Sequence, residues 1–134
     1  MRHTARILRL RLLHHETGSA AVEAAVILPL AIMLFFGFVH LAIYLYGLQL
    51  TSAIAEVSYN EARLYKAGSH NGTDAGYQHA KDIAGDTLTN VTISVNRTET
   101  TVIAHVSGTT SSIIPSLPIH VESTVSGPVE RWIP

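Results

Sequence analysis

The sequence predicts an α+β protein: a long N-terminal transmembrane/amphipathic helix, then a small extracytoplasmic region with a short helix and a 2–3-stranded antiparallel sheet. Three observations predict it. Residues 24–46 carry no charged side chain, a helical apolar pattern continues beyond them to about residue 67, and after residue 90 apolar residues recur at every second position. The organisation that follows is a basic leader at 1–18, a helical segment at 19–67 with its membrane-spanning part at about 24–46, and an outer α/β region at 73–134.

The 134 residues allow one small domain plus accessories. A net charge of −1 hides an asymmetry: residues 1–18 carry +3 and the remaining residues carry −4. A basic arm abutting an apolar run is a membrane orientation signal before it is a nucleic-acid arm. With no cysteine in the chain, disulfide and thiol chemistry are excluded.

In the leader, Arg2, Arg6 and Arg9 fall on one helical face, and Leu8, Leu12 and His15 on another. A membrane-surface helix and a short cytoplasmic leader both have this pattern. His14-His15-Glu16 superficially resembles a metal motif, but adjacent residues diverge on a helix and no further ligands stand nearby in sequence. No metal or other cofactor is expected.

The uncharged run at 24–46 would make a helix of ~34 Å, enough to cross a hydrocarbon core of about 30 Å. A secretory signal peptide is the rival interpretation. The run exceeds the usual apolar core of such peptides, and no convincing small-x-small cleavage site follows it. The arginines predict a cytoplasmic N-terminus, and Tyr44 and Tyr46 stand where aromatic residues gather at the far interface. Pro29 removes the hydrogen bond to the Ala25 carbonyl and predicts a kink or local loosening. His40 is the one clearly polar residue of the span.

Beyond the span, Leu50, Ile54, Val57, Glu61 and Leu64 form a stripe at helical spacing, and Lys66 suits the negative end of the helix. Gly68-Ser69-His70-Asn71-Gly72 predicts a stop. Thr73 or Asp74 would cap a second helix running to about Ala84, with Gly85 after its end. Val91, Ile93 and Val95, then Val102, Ala104 and Val106, predict a β-hairpin joined through residues 96–101. Residues 119–125 alternate again and would add a third strand after Pro115 and Pro118. An isolated hairpin is marginal in water, so the strands are expected to pack on the stripe at 50–64. Trp132 is expected to be a packing plug.

The carboxylates of the outer region, Asp74, Asp82, Asp86, Glu99, Glu122 and Glu130, are scattered. No phosphate loop, nucleophile elbow or paired-histidine motif accompanies them, and the chain is not expected to be an enzyme. The informative stretch is Gly18-Ser19-Ala20-Ala21-Val22-Glu23. A carboxylate near hydrocarbon is expensive, so Glu23 needs a reason. One is that Glu23 sits at headgroup level near the positive end of the helix. The other is cleavage after Gly18, which would free an amine on Ser19 four residues from Glu23. Each charge would then offset the desolvation of the other.

That stretch, followed by Ile27-Leu28-Pro29-Leu30, Gly37 and a helical continuation with Ala53, Glu61 and Ala62, resembles the TadE-like proteins over residues 16–67. These are pseudopilins of the tight-adherence (Tad/Flp) pilus machinery, within the type IV pilus and type II secretion world. The resemblance implies that Gly18 ends a leader, Ser19 begins the mature chain, and Glu23 serves processing or subunit assembly. It also implies a membrane aspartyl prepilin peptidase as processing enzyme, with other pilin or pseudopilin subunits and Tad assembly-platform proteins as partners. No nucleic acid or small-molecule substrate is implied. The expected location is the bacterial inner membrane, single-pass, with the C-terminus extracytoplasmic and a possible place in a surface pilus. Ala24 stands where an aromatic is common in the family, and His40 where an acidic residue is often found. The alternative is an uncleaved bitopic protein whose outer region binds a partner in an envelope complex.

Overall fold

A computed structural model describes residues 2–114 and 116–131, with side-chain surroundings described from Gly18 onward. The expected faces of the leader, with Arg2, Arg6, Arg9, Leu8, Leu12 and His15, and the His14-His15-Glu16 cluster lie outside the described side chains; Trp132 lies outside the described residues. The chain forms α1 (Arg2–Arg63), α2 (Ser69–Ile83), β1 (Leu88–Arg97), β2 (Thr101–Thr110) and β3 (Ile119–Pro128). This is the α+β arrangement expected, with a three-stranded sheet. By internal contacts it divides into Met1–Val39 and His40–Pro134.

The first unit is helix alone. Residues 18–38 are all exposed, and the helix is unbroken through Pro29. Its apolar segment is long and apolar enough to cross a membrane, and none of its most apolar stretch is buried by the rest of the chain.

In the second unit the sheet is antiparallel throughout, in the order β1-β2-β3. Val102, Ala104 and Val106 of the central strand are fully buried. The core joins Leu50, Ile54 and Ala55 of α1 to Ala80 of α2 and to Leu88, Ile93, Val106, Ile119 and Val121 of the strands. Strand β1 begins earlier than its clean alternation suggests. Its register shifts between Thr89 and Thr92, and Asn90 takes a φ of 52° there. The extra residue of a bulge changes which face later residues occupy, so Leu88 and Ile93 both point inward although their numbers differ in parity.

The buried face of α1 corrects the expected stripe. Leu50 and Ile54 are buried, but Val57 is only half-buried and Glu61 and Leu64 are exposed. The face is instead completed by Gly47, Thr51, Ala55, Ser58 and Ala62. These residues are small because the neighbours come close: a Cβ on Gly47 would collide with the Thr110 side chain and stand 3.1 Å from Val121. The hydroxyls survive burial because each donates within the helix, Thr51 Oγ1 to the Gly47 carbonyl at 3.1 Å and Ser58 Oγ to the Ile54 carbonyl at 2.9 Å.

The expected start of α2 is also corrected. The helix begins at Ser69, after Gly68 as N-cap, rather than at Thr73 or Asp74. Asn71 Oδ1 accepts from the Gly68 N–H at 3.0 Å, satisfying a donor at the helix start. The supposed stop residues are helical for a packing reason. A Cβ on Gly72 would strike the Ser58 carbonyl and Ala62, and one on Gly76 would strike the Ser58 hydroxyl and Ile93. Glycine here permits a close crossing of α1 and α2.

The end of α1 differs as well. The helix stops at Arg63, and Lys66 lies beyond it in the left-handed region with φ 66°. The C-terminal carbonyls are instead met by Arg97, whose guanidinium donates to Ala62 and, at 3.0 Å, to Leu64. The Glu130 backbone N–H donates to the Arg63 carbonyl at 2.9 Å.

Candidate functional site

Gly18, Ser19 and Glu23 lie on the exposed part of α1. A five-residue stretch of helix turns through more than one full turn, so Ser19 and Glu23 share a face, about 6 Å apart between Cβ atoms. A Cβ placed on Gly18 would meet nothing within 4 Å among the described residues, and its φ is not positive. Neither crowding by the described residues nor backbone strain therefore requires glycine at position 18. Glycine costs a helix roughly 1 kcal/mol relative to alanine, so it lowers the cost of local unwinding at the 18–19 bond. Pro29 is in the same helix, ten residues after Ser19, and also exposed.

Elsewhere the ionisable groups are dispersed. His70 and Asp74 pair at 3.1 Å along the exposed side of α2, and Arg63 pairs with Glu130 at 3.4 Å. Glu99 lies in the β1–β2 turn and Asp86 in the α2–β1 connection, while Glu122 projects from the outer face of the sheet. On that face His105 Nδ1 shares a hydrogen bond with Thr124 Oγ1 at 2.9 Å, and His120 Nδ1 with Thr109 Oγ1 at 3.1 Å. Among the described residues no group of three or more histidine, cysteine or acidic side chains is placed to hold a metal ion. His40 is half-buried where α1 enters the second unit.

The arrangement thus offers one stretch that the fold itself does not explain. Residues 18–58 match the family model described as TadE-like protein. The chain carries a TadE-like segment. No curated protein and no solved structure matches it. The TadE-like match begins at Gly18 and ends at Ser58, so it takes in the exposed part of α1 and most of the packed part, and leaves the sheet outside. It associates the chain with the Tad pilus in general, and the apolar helix suggests a single-pass membrane anchor with pilus-related partners.

Sequence reasoning placed Ser19 and Glu23 on one helix face, where they are found, and Gly18 at the end of the leader, which the structure joins to the same helix. It missed Arg97, which holds the end of α1. An arginine closing a strand carries no local mark of its partner, because Ala62 and Leu64 are more than thirty residues away.

Proposed function

We propose that this chain is a TadE-like pseudopilin that takes part in assembling a Tad/Flp-type pilus, is processed by a prepilin peptidase after Gly18, and is anchored by one membrane helix. The observation that carries the reading is the TadE-like match, which begins at Gly18 within α1. It is joined by a glycine at that position that no neighbour among the described residues requires.

In this reading water adds to the Gly18 carbonyl carbon and the bond to the Ser19 nitrogen breaks, leaving a carboxylate on Gly18 and an ammonium on Ser19. The leader of 1–18 departs with its arginines. The new ammonium stands on the face of Glu23, and at a low-dielectric boundary the two charges hold one another strongly. Between neighbouring subunits the same attraction would set axial register. The chain does no catalysis of its own and uses no cofactor. It sits in the inner membrane with the N-terminus cytoplasmic, as the arginine bias directs, and residues 73–134 serve as the extracytoplasmic part. The peptidase, other pilin or pseudopilin subunits and the Tad assembly platform are its partners.

N-terminal sequencing and intact mass of the membrane-bound protein test the reading, with a chain beginning at Ser19 as the expected result. Gly18→Leu should leave full-length protein, and Glu23→Ala should enter the membrane yet impair assembly or processing. If cells containing the peptidase yield only full-length protein, the processing reading fails and an uncleaved bitopic protein takes its place.

A further inference from the structure

The connection between β2 and β3 reads Ser111-Ser112-Ile113-Ile114-Pro115-Ser116-Leu117-Pro118, and no residue from Val106 to Ile119 is charged. The strands on either side turn most of their apolar residues inward, with Ile103 of β2 an exception at 44% exposed, whereas this short loop turns three outward together: Ile113, Ile114 and Leu117 are 52%, 46% and 50% exposed. The exposure belongs to a held conformation. The Leu117 N–H donates to the Ile114 carbonyl at 3.0 Å, and the Ser111 N–H donates to the Thr87 carbonyl at 3.2 Å. The Ile114 N–H donates to Ser112 Oγ at 3.1 Å.

The loop's place in the second unit gives the exposure a direction. Arg97, at the end of β1, reaches Ala62 near the end of α1, whereas Thr110, at the end of β2, packs on Gly47. Passing along α1 from Ala62 toward Gly47 therefore leads from the β1–β2 turn to the 111–118 loop. Beyond Gly47 the helix leaves the unit at His40 and continues into the apolar run. The opposite end of the sheet carries Arg63, Lys66, Arg97, Glu99 and Glu130. The uncharged apolar loop thus lies at the end from which the lipid-length helix departs, with Asp86 beside it and Lys81, Asp82 and Glu122 at the same end of α2 and β3.

We propose that Ile113, Ile114 and Leu117 insert into the acyl–headgroup boundary of the bilayer crossed by α1, giving the outer unit a second membrane contact. This rests on the single-pass reading of α1. The loop has no charge, so it recognises the apolar boundary rather than an anionic headgroup, and a zwitterionic bilayer suffices. Asp86 limits the depth: its backbone carbonyl accepts from Ser111 Oγ at 3.4 Å and its side chain is exposed, so it must remain among headgroups. A second copy of the chain is the poorer occupant, because three side chains on one short loop fall far below the ~800 Å² per partner of a stable interface.

The chain has no cysteine, so single cysteines can be spin-labelled in the full-length protein. Ile114→Cys, Leu117→Cys, Met33→Cys and Glu99→Cys proteins in phosphatidylcholine vesicles would be compared for collision with oxygen and with a water-soluble nickel chelate. The labels at 114 and 117 should be several-fold less accessible to the chelate than the label at 99 and more accessible to oxygen. The label at 33 should be deepest. Solution-like accessibility at both 114 and 117, with 33 deep, overturns the loop proposal alone. Shielding at 114 and 117 that disappears when the protein is diluted with lipid assigns the loop to a second copy and also overturns it. A chelate-accessible label at 33 overturns the membrane reading and the loop proposal with it.

Discussion

Helix α1 carries glycines in both of its parts, and their surroundings differ. Gly18 and Gly37, in the first unit, have open space where a side chain would stand. Gly47, in the second, is held against Thr110 and Val121, and the packed part of the helix continues with Thr51, Ala55, Ser58 and Ala62 against the sheet and α2. Small residues in the packed part are explained by neighbours in the same chain. Those in the exposed part have no such neighbour among the described residues, which is what directs attention to a peptidase, a bilayer or another subunit. Similar residue types on one helix thus answer to different constraints.

Substitutions in the two parts sharpen this contrast. The largest effect is expected from Ile54→Ala, which empties a fully buried site of the core and should destabilise the second unit by about 2–5 kcal/mol. Hydrogen exchange at residues 102–106, read by mass spectrometry on the full chain in detergent, would show the loss as reduced protection. Gly76→Ala comes next. Its methyl group has no room beside Ser58 and Ile93, and the cost should be about 1–3 kcal/mol by the same readout. Arg97→Ala removes a charged donor from the Ala62 and Leu64 carbonyls and should cost about 1.5 kcal/mol, with faster exchange confined at first to the last turn of α1. At the small end, Gly37→Ala should leave the protection of the second unit unchanged to within ~0.5 kcal/mol. A loss at Gly37 as large as that at Gly76 would break the contrast, because it would require a neighbour inside the chain that the structure does not have.

The sequence made the fold class and the candidate segment legible for reasons that are local. Periodicity of two revealed Val102, Ala104 and Val106, and a charge-free run revealed the apolar helix. Gly18, Ser19 and Glu23 are recognisable because their spacing lies within one stretch. The features that were missed depend on distance in sequence. Ser58 and Ala62 look unremarkable until α2 is laid across them, and Gly72 and Gly76 look like breakers until the same crossing demands them. An apolar stripe also favours Leu64 over Ala62, although closeness rather than hydrophobicity decides which is buried. Leu88 was hidden by a bulge, which alters the period without changing the residue types around it.

The closure of α1 by Arg97 and by the Glu130 N–H has a consequence in time. Ser52 shares a 3.0 Å hydrogen bond with Ser123, and Tyr59 donates at 3.3 Å to the Pro128 carbonyl, so the helix waits for partners some seventy residues later in synthesis. The apolar run needs none of them, since its backbone bonds close within a few residues. During translation the apolar helix can therefore form while the second unit still lacks its third strand, and non-local pairing of that kind makes the slower step. A released chain ending before residue 119 would have the apolar helix and an unfinished sheet, its central strand β2 open along one edge.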